Sequence, residues 1–422
     1  MKRAQPRVGS PRLACLGLLL MLMNGCGQDP AARDSPTDGG IDGEVIRVTH
    51  LGNAGPGSLR AALSAKLPRL VIFDVAGVID LEGEDLEIAT PHLTVAGETA
   101  PEPGITLIRG GIRVRSHDVD ISHLRVRPGD GGREVGSRWM PDGISVEGPQ
   151  GHHVRVSHCS LTWAVDENLS ATGPAQGPTS HDILFHDNLI AEGLRASTHP
   201  KGPHSMGSLI HDHVSGVVIA RNLFAHNNQR NPRFKQGARG LIINNVIHNP
   251  GEEVIFLGRF RGATEVIATA DPARVAVIGN LLMPGPDSPP KLALVSGSGS
   301  VQLDGNLHLH GDGTRGRITA GKLVHEHLPV ETPAGLERLD AEAALAHVLR
   351  EAGARPWARD ATDQRIIDSV QARTGHIIDS QETVGGYPAA DPRHRVLEVP
   401  LRGRRAWLSS LTPASSPQAA PP

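Results

Sequence analysis

The sequence predicts an all-β solenoid, built as stacked coils of short parallel strands, and three observations carry that reading. The first is composition: 49 Gly, 33 Pro and 3% aromatics in 422 residues are poor material for a helix bundle. Short Val/Ile runs punctuated by Gly, Asn and Pro instead mark many strands joined by turns. The second is a loose repeat in which a strand is followed by Asn and two apolar residues, as in Asp187-Asn188-Leu189-Ile190, Arg221-Asn222-Leu223-Phe224, Asn244-Asn245-Val246-Ile247, Gly279-Asn280-Leu281-Leu282 and Gly305-Asn306-Leu307. The third is its spacing: successive Asn lie 34, 23, 35 and 26 residues apart, too irregular for helical repeats but natural for coils whose turns vary in length.

Each element follows in order. Lys2, Arg3, Arg7 and Arg12 precede the apolar run Leu13–Met23, too short to span a bilayer, so residues 1–25 read as an export signal. Met23-Asn24-Gly25-Cys26 resembles a bacterial lipobox, which would make Cys26 a lipidated first residue, with Gly27 favouring the outer membrane and plain secretion as the alternative. The polar stretch 26–43 is expected to be a flexible tether. Ser58 is an N-cap candidate for a short helix over Leu59–Leu63 that plugs the first coil. Coils are expected from 44 to 325. The repeated Asn suit bends, because Asn tolerates left-handed backbone and its amide can bond the equivalent Asn one coil away. Residues 326–408 are read as a helical cap, with Asp340 heading one helix and Thr362–Thr374 forming another; residues 409–422 are read as disordered.

Cys15 lies in the signal and Cys26 is committed, leaving Cys159 alone in the body as a small buried filler. A formal charge of −3 argues against a nucleic-acid binder. Charge is nevertheless concentrated: from Arg195 to Gly240 seven Lys/Arg and five His face the single acid Asp212. Within that block Arg230, Arg233 and Lys235 surround Pro232 beside an apolar run, which points to an anionic ligand. Among His199, His204, His211 and His213 the spacings match no tetrahedral zinc set.

The order of several motifs resembles the pectate lyases, right-handed single-stranded parallel β-helix enzymes. Val48-Thr49 with Gly55-Pro56-Gly57-Ser58-Leu59-Arg60 is similar to that family's entry segment, and Val71-Ile72-Phe73-Asp74 with Val78-Ile79-Asp80-Leu81 to its first coils. Ser157-His158-Cys159-Ser160 followed by Asp166-Glu167 resembles its Asp-His-Cys-Ser strand and downstream acid. Arg230-Asn231-Pro232-Arg233-Phe234-Lys235 resembles its Arg-x-Pro-x-x-Arg signature, and Asn244-Asn245 the asparagines after it. The likeness runs from about Val45 to Gly258.

The resemblance implies calcium-assisted β-elimination of polygalacturonate, leaving 4,5-unsaturated ends. Asp142, Asp166 and Glu167 are the implied Ca²⁺ ligands, since calcium takes several oxygens and can share some with substrate. Arg230 is the implied base, its pKa depressed by neighbouring cations and calcium. Lys235 would pair with a substrate carboxylate, Arg233 is either a binding or a surface residue, and Lys201 or His204 could contact substrate. The family usually places an acid four residues after the position of Asp166; here that residue is Ser170. A monomer meeting the membrane only through its lipid anchor is expected. The rival readings are a calcium-independent pectin lyase or other uronan lyase, and a non-catalytic carbohydrate-binding β-helix or adhesin.

Overall fold

The computed structural model describes residues 37–174, 177–258, 271–329, 332–389 and 391–413. The signal, Cys26 and most of the expected tether lie outside them. Strands among the described residues form three sheets of eleven, nine and ten strands, in which each strand pairs with the one a full coil away. Pairing between these strands is parallel, except where Arg393–His394 runs antiparallel to Val75–Asp80, and an isolated bridge joins Leu309 and Arg315 antiparallel. This is a parallel β-helix, with coils running from Glu44–Val48 to Val324–His325.

Inward-facing Val, Ile and Leu of all three sheets meet in one continuous core that also holds Phe73, Phe185, Phe224, Phe234 and Cys159. Strands this short bury little alone, so each coil depends on its neighbours for cover. The bend between the eleven- and ten-stranded sheets is held by an asparagine ladder. The Asn222 side-chain oxygen accepts from the backbone N–H and amide of Asn188, both 2.9 Å. Asn245, Asn280 and Asn306 repeat the arrangement in turn. The left-handed residue is not the ladder Asn but the one before it: Asp187, Arg221, Asn244, Gly279 and Gly305 have φ of 53°, 54°, 56°, 62° and 60°. That residue turns the chain, which leaves the Asn free to bridge.

Ser58 caps the helix Leu59–Leu63, accepting from Ala61 N–H, and Leu59, Ala62 and Leu63 close the core at the first coil. The helices Ala341–Glu351 and Ala361–Ala372 form behind Asp340 and Asp360, whose carboxylates accept from Ala343 and Asp363 N–H. They do not cap the far end. Val348, Leu349, Ile366, Ile367 and Val370 lie along the flank of the ten-stranded sheet, against Leu189, Leu223, Val246 and Leu281. The reason is that this sheet is apolar on both faces, and its outer face has to be covered. Fully buried Arg127 is fixed there by Asp360 and Asp363, each at 2.7 Å.

Residues at both ends of the described chain are packed. Gly40 N–H bonds Thr94 and the Thr37 hydroxyl bonds Asp118, so the body begins before the expected boundary at 43. A last helix, Arg404–Ser410, sets Leu408 on Leu70 and Ile72 and runs two residues past the point where disorder was expected to start.

Candidate active site

The site forms where chain leaving the ten-stranded sheet enters the nine-stranded one. Asp142 precedes the strand Ile144–Glu147, Asp166 precedes and Glu167 begins Glu167–Thr172 in the next coil, and Arg230 precedes Arg233–Phe234 two coils further on. Gly143 lets the acids stack this closely, since a Cβ there would lie 2.2 Å from Asn168 O.

One carboxylate oxygen from each of Asp142, Asp166 and Glu167 lies within 4.8 Å of the others. Asp142 accepts from Glu167 N–H at 3.1 Å. Burial, then the like charge of Asp166, pushes the Asp142 carboxyl well above its ordinary range. Three oxygen donors crowded at that cost could hold a hard cation such as Ca²⁺, whose preference for carboxylate oxygen they match. Ser170, where an acid was wanted, is buried with its hydroxyl unpaired and adds no charge.

Arg230 forms an ion pair with Glu167 and lies 3.8 Å from Asp166. It is buried, and its backbone is left-handed at φ 61°, a conformation that costs a non-glycine residue about 1 kcal/mol or more. Several bonds hold it there. Ser208 N–H donates to Arg230 O, Asn231 N–H reaches Val254 O, and the Asn227 amide bonds Asn231 while accepting from Asn168. Gly207 is required beside it, because a Cβ would meet Arg230 O at 2.5 Å. Burial lowers the Arg230 pKa to about 10, with Asp166 opposing and Arg233 assisting.

A cleft of about 750 Å³ opens beside this group, lined by Asp166, Glu167, Lys201, His204, Arg230 and Lys235 among others. Six of the eight residues expected at the site therefore face one space. Asp142 lies just behind it, tied to Glu167. Arg233 turns away: it is buried, ion-paired with Glu253 and stacked 4.6 Å over Phe256. The expectation of a binding or surface role is corrected accordingly, because an outward strand position here is roofed by the neighbouring coil.

Two partners were not anticipated from the sequence. His211 Nε2 accepts from Lys235 Nζ at 2.9 Å, orienting the ammonium; burial lowers the pKa of both. His199 and His204 stack with ring centroids 3.4 Å apart next to Asp166. The bond from Lys201 N–H to His199 Nδ1 leaves the proton of the neutral ring on Nε2, facing Asp166 at 3.7 Å.

No family model matches the chain. The "Probable pectate lyase C" of Neosartorya fischeri is 29% identical over 404 residues, covering 90% of this chain and 86% of that protein. Its namesake in Emericella nidulans is 30% identical over 369 residues, covering 82% of this chain and 76% of that protein. Among solved structures, the cedar pollen allergen Jun a 1 superposes with a TM-score of 0.54 at 17% identity, over 75% of this chain and 90% of its own. A pectate lyase bound to hexasaccharide gives 0.51 at 13% identity, over 78% and 98%. The two solved structures speak for the coiled architecture, and the sequence relatives, matched across most of their length, decide the lineage: the chain belongs to the pectate lyase family.

Proposed function

We propose that the protein cleaves polygalacturonate by calcium-assisted β-elimination in this cleft. The observation that supports the reading best is a buried Arg230, its pKa lowered to about 10, facing Asp166 and Glu167 across one cleft with Asp142 directly behind them. Asp142, Asp166 and Glu167 would hold Ca²⁺, which neutralises a substrate carboxylate and so acidifies the neighbouring C5 proton. Arg230 removes that proton. The C5–H electrons form the C4–C5 double bond, the C4–O glycosidic bond breaks, and the leaving oxygen takes a proton from water. Lys235, oriented by His211, and Lys201 at the cleft mouth pair with uronate carboxylates. His204, its Nδ1–H committed to Gly202 O at 3.0 Å, offers Nε2 to a sugar hydroxyl.

The same reading has the chain exported as a monomer and anchored through lipidated Cys26. Incubation with polygalacturonate at alkaline pH and added calcium is expected to produce the ultraviolet absorbance of an unsaturated uronate, abolished by chelator. Product from methyl-esterified pectin that survives chelation would favour a pectin lyase instead. Glycan binding without product would leave only a carbohydrate-binding β-helix.

A further inference from the structure

Away from the cleft, the turn that enters the eleven-stranded sheet carries histidine in four successive coils. His152 pairs in register with His181. The rings of His117, His152 and His181 stack face to face, 4.7 Å apart and within 5° of parallel, and His92 meets His117 edge-on at 5.6 Å. Beside this column runs a second, in which His92, Asp118, His153 and Asp182 all adopt left-handed backbone, with φ from 52° to 55°. Imidazoles thus alternate with carboxylates along one edge of the solenoid.

His117 Nδ1 lies 2.8 Å from an Asp118 oxygen and His181 Nδ1 lies 2.8 Å from an Asp182 oxygen, so in each pair ring nitrogen and carboxylate face the same point, and an ion arriving there would take the place of the shared proton. The Thr37 hydroxyl holds the other oxygen of Asp118 at 3.1 Å, so this carboxylate is itself positioned. Two groups of the same make-up result, His92/His117/Asp118 and His153/His181/Asp182, each with its donor atoms within 4.8 Å. Their side chains are partly exposed, so water can complete a coordination shell.

We propose that this edge binds divalent transition-metal ions such as Zn²⁺, one at each of the two groups, independently of the lyase cleft. Two imidazoles and one carboxylate form a donor set for zinc, nickel or copper and a poor one for calcium. Each ion would join neighbouring coils, adding a crosslink where the strands have no disulfide.

The test uses the full chain in millimolar calcium, which keeps oxygen-only sites filled. Equilibrium dialysis against Zn²⁺ with elemental analysis is compared for wild type, His117→Asn, His181→Asn and the double variant. Asn keeps a polar group beside the neighbouring acid but has no ring nitrogen to give to an ion. Each single variant is expected to lose one zinc per chain and the double variant two, with uronate cleavage unchanged. Cu²⁺ bound to the wild type is expected to show nitrogen hyperfine coupling that the double variant lacks. Equal zinc content in wild type and double variant, or oxygen-only coupling, would overturn the proposal and leave the column as ring stacking alone.

Discussion

Arg230 and Arg233 stand three residues apart and do different work. Arg230 lines the cleft against the acids, whereas Arg233 is sealed between Glu253 and Phe256. Arg230→Lys is therefore expected to lower kcat by about 100-fold or more with the melting temperature nearly unchanged, since it removes the proposed proton acceptor. Arg233→Met should do the reverse. Leaving Glu253 buried without its partner costs on the order of 3 kcal/mol, at the low end because Glu253 keeps some solvent contact. Denaturant midpoints and steady-state kinetics on the same preparations separate the two; a raised KM in stable Arg233→Met would return Arg233 to substrate binding. The acids and Arg230 could be singled out in the sequence only through the resemblance of the motifs around them to those of pectate lyases. Glu253 and His211 could not be, because which residues face one another across coils depends on turn lengths that carry no pattern.

Among the elements, the asparagine ladder was the most readable, since a repeated polar residue beside apolar pairs has few other uses. Asn222 is fully buried and bonded on both sides. Asn222→Ala is expected to destabilise by about 3 kcal/mol, as amides of the adjoining coil lose their acceptor at about 1–3 kcal/mol each. Asn306→Ala, at the half-buried end of the ladder, should cost clearly less, and chemical denaturation of both variants checks the ranking. Existence of the two tail helices was also legible from Asp340 and the helical spacing behind it. Their docking was not. Strands such as Leu189–Ala191 and Leu223–Ala225 are apolar at every position, so nothing in the sequence distinguishes the residues facing the core from those awaiting a helix.

For the whole molecule, the many buried imidazoles set an acid limit. Burial lowers His226 to about 3, and pushes His123, His158, His248 and His308 below the ordinary value; His152, His199 and His211 shift the same way. Between the lowered folded value and about 6.5 the unfolded chain binds more protons, so each contributes up to about 1.4 kcal/mol of lost stability per pH unit as pH falls. Glu98, raised by burial to about 7, opposes this, as do Asp142 and Glu253, but the histidines outnumber them. The melting temperature is expected to drop steadily from pH 7 to pH 5; a flat profile would show that these rings are protonated in the fold.

The segment after the tail helices returns to the coil where the body began: Arg404 bonds Ile41 O and Gly43 O, and Arg393–His394 joins the edge of Val75–Asp80. Both ends of the described chain therefore emerge at one extremity of the rod. Tension applied between them would load that junction first and peel the returning segment away like a strap, while the stacked coils beyond it bore no force until it had let go.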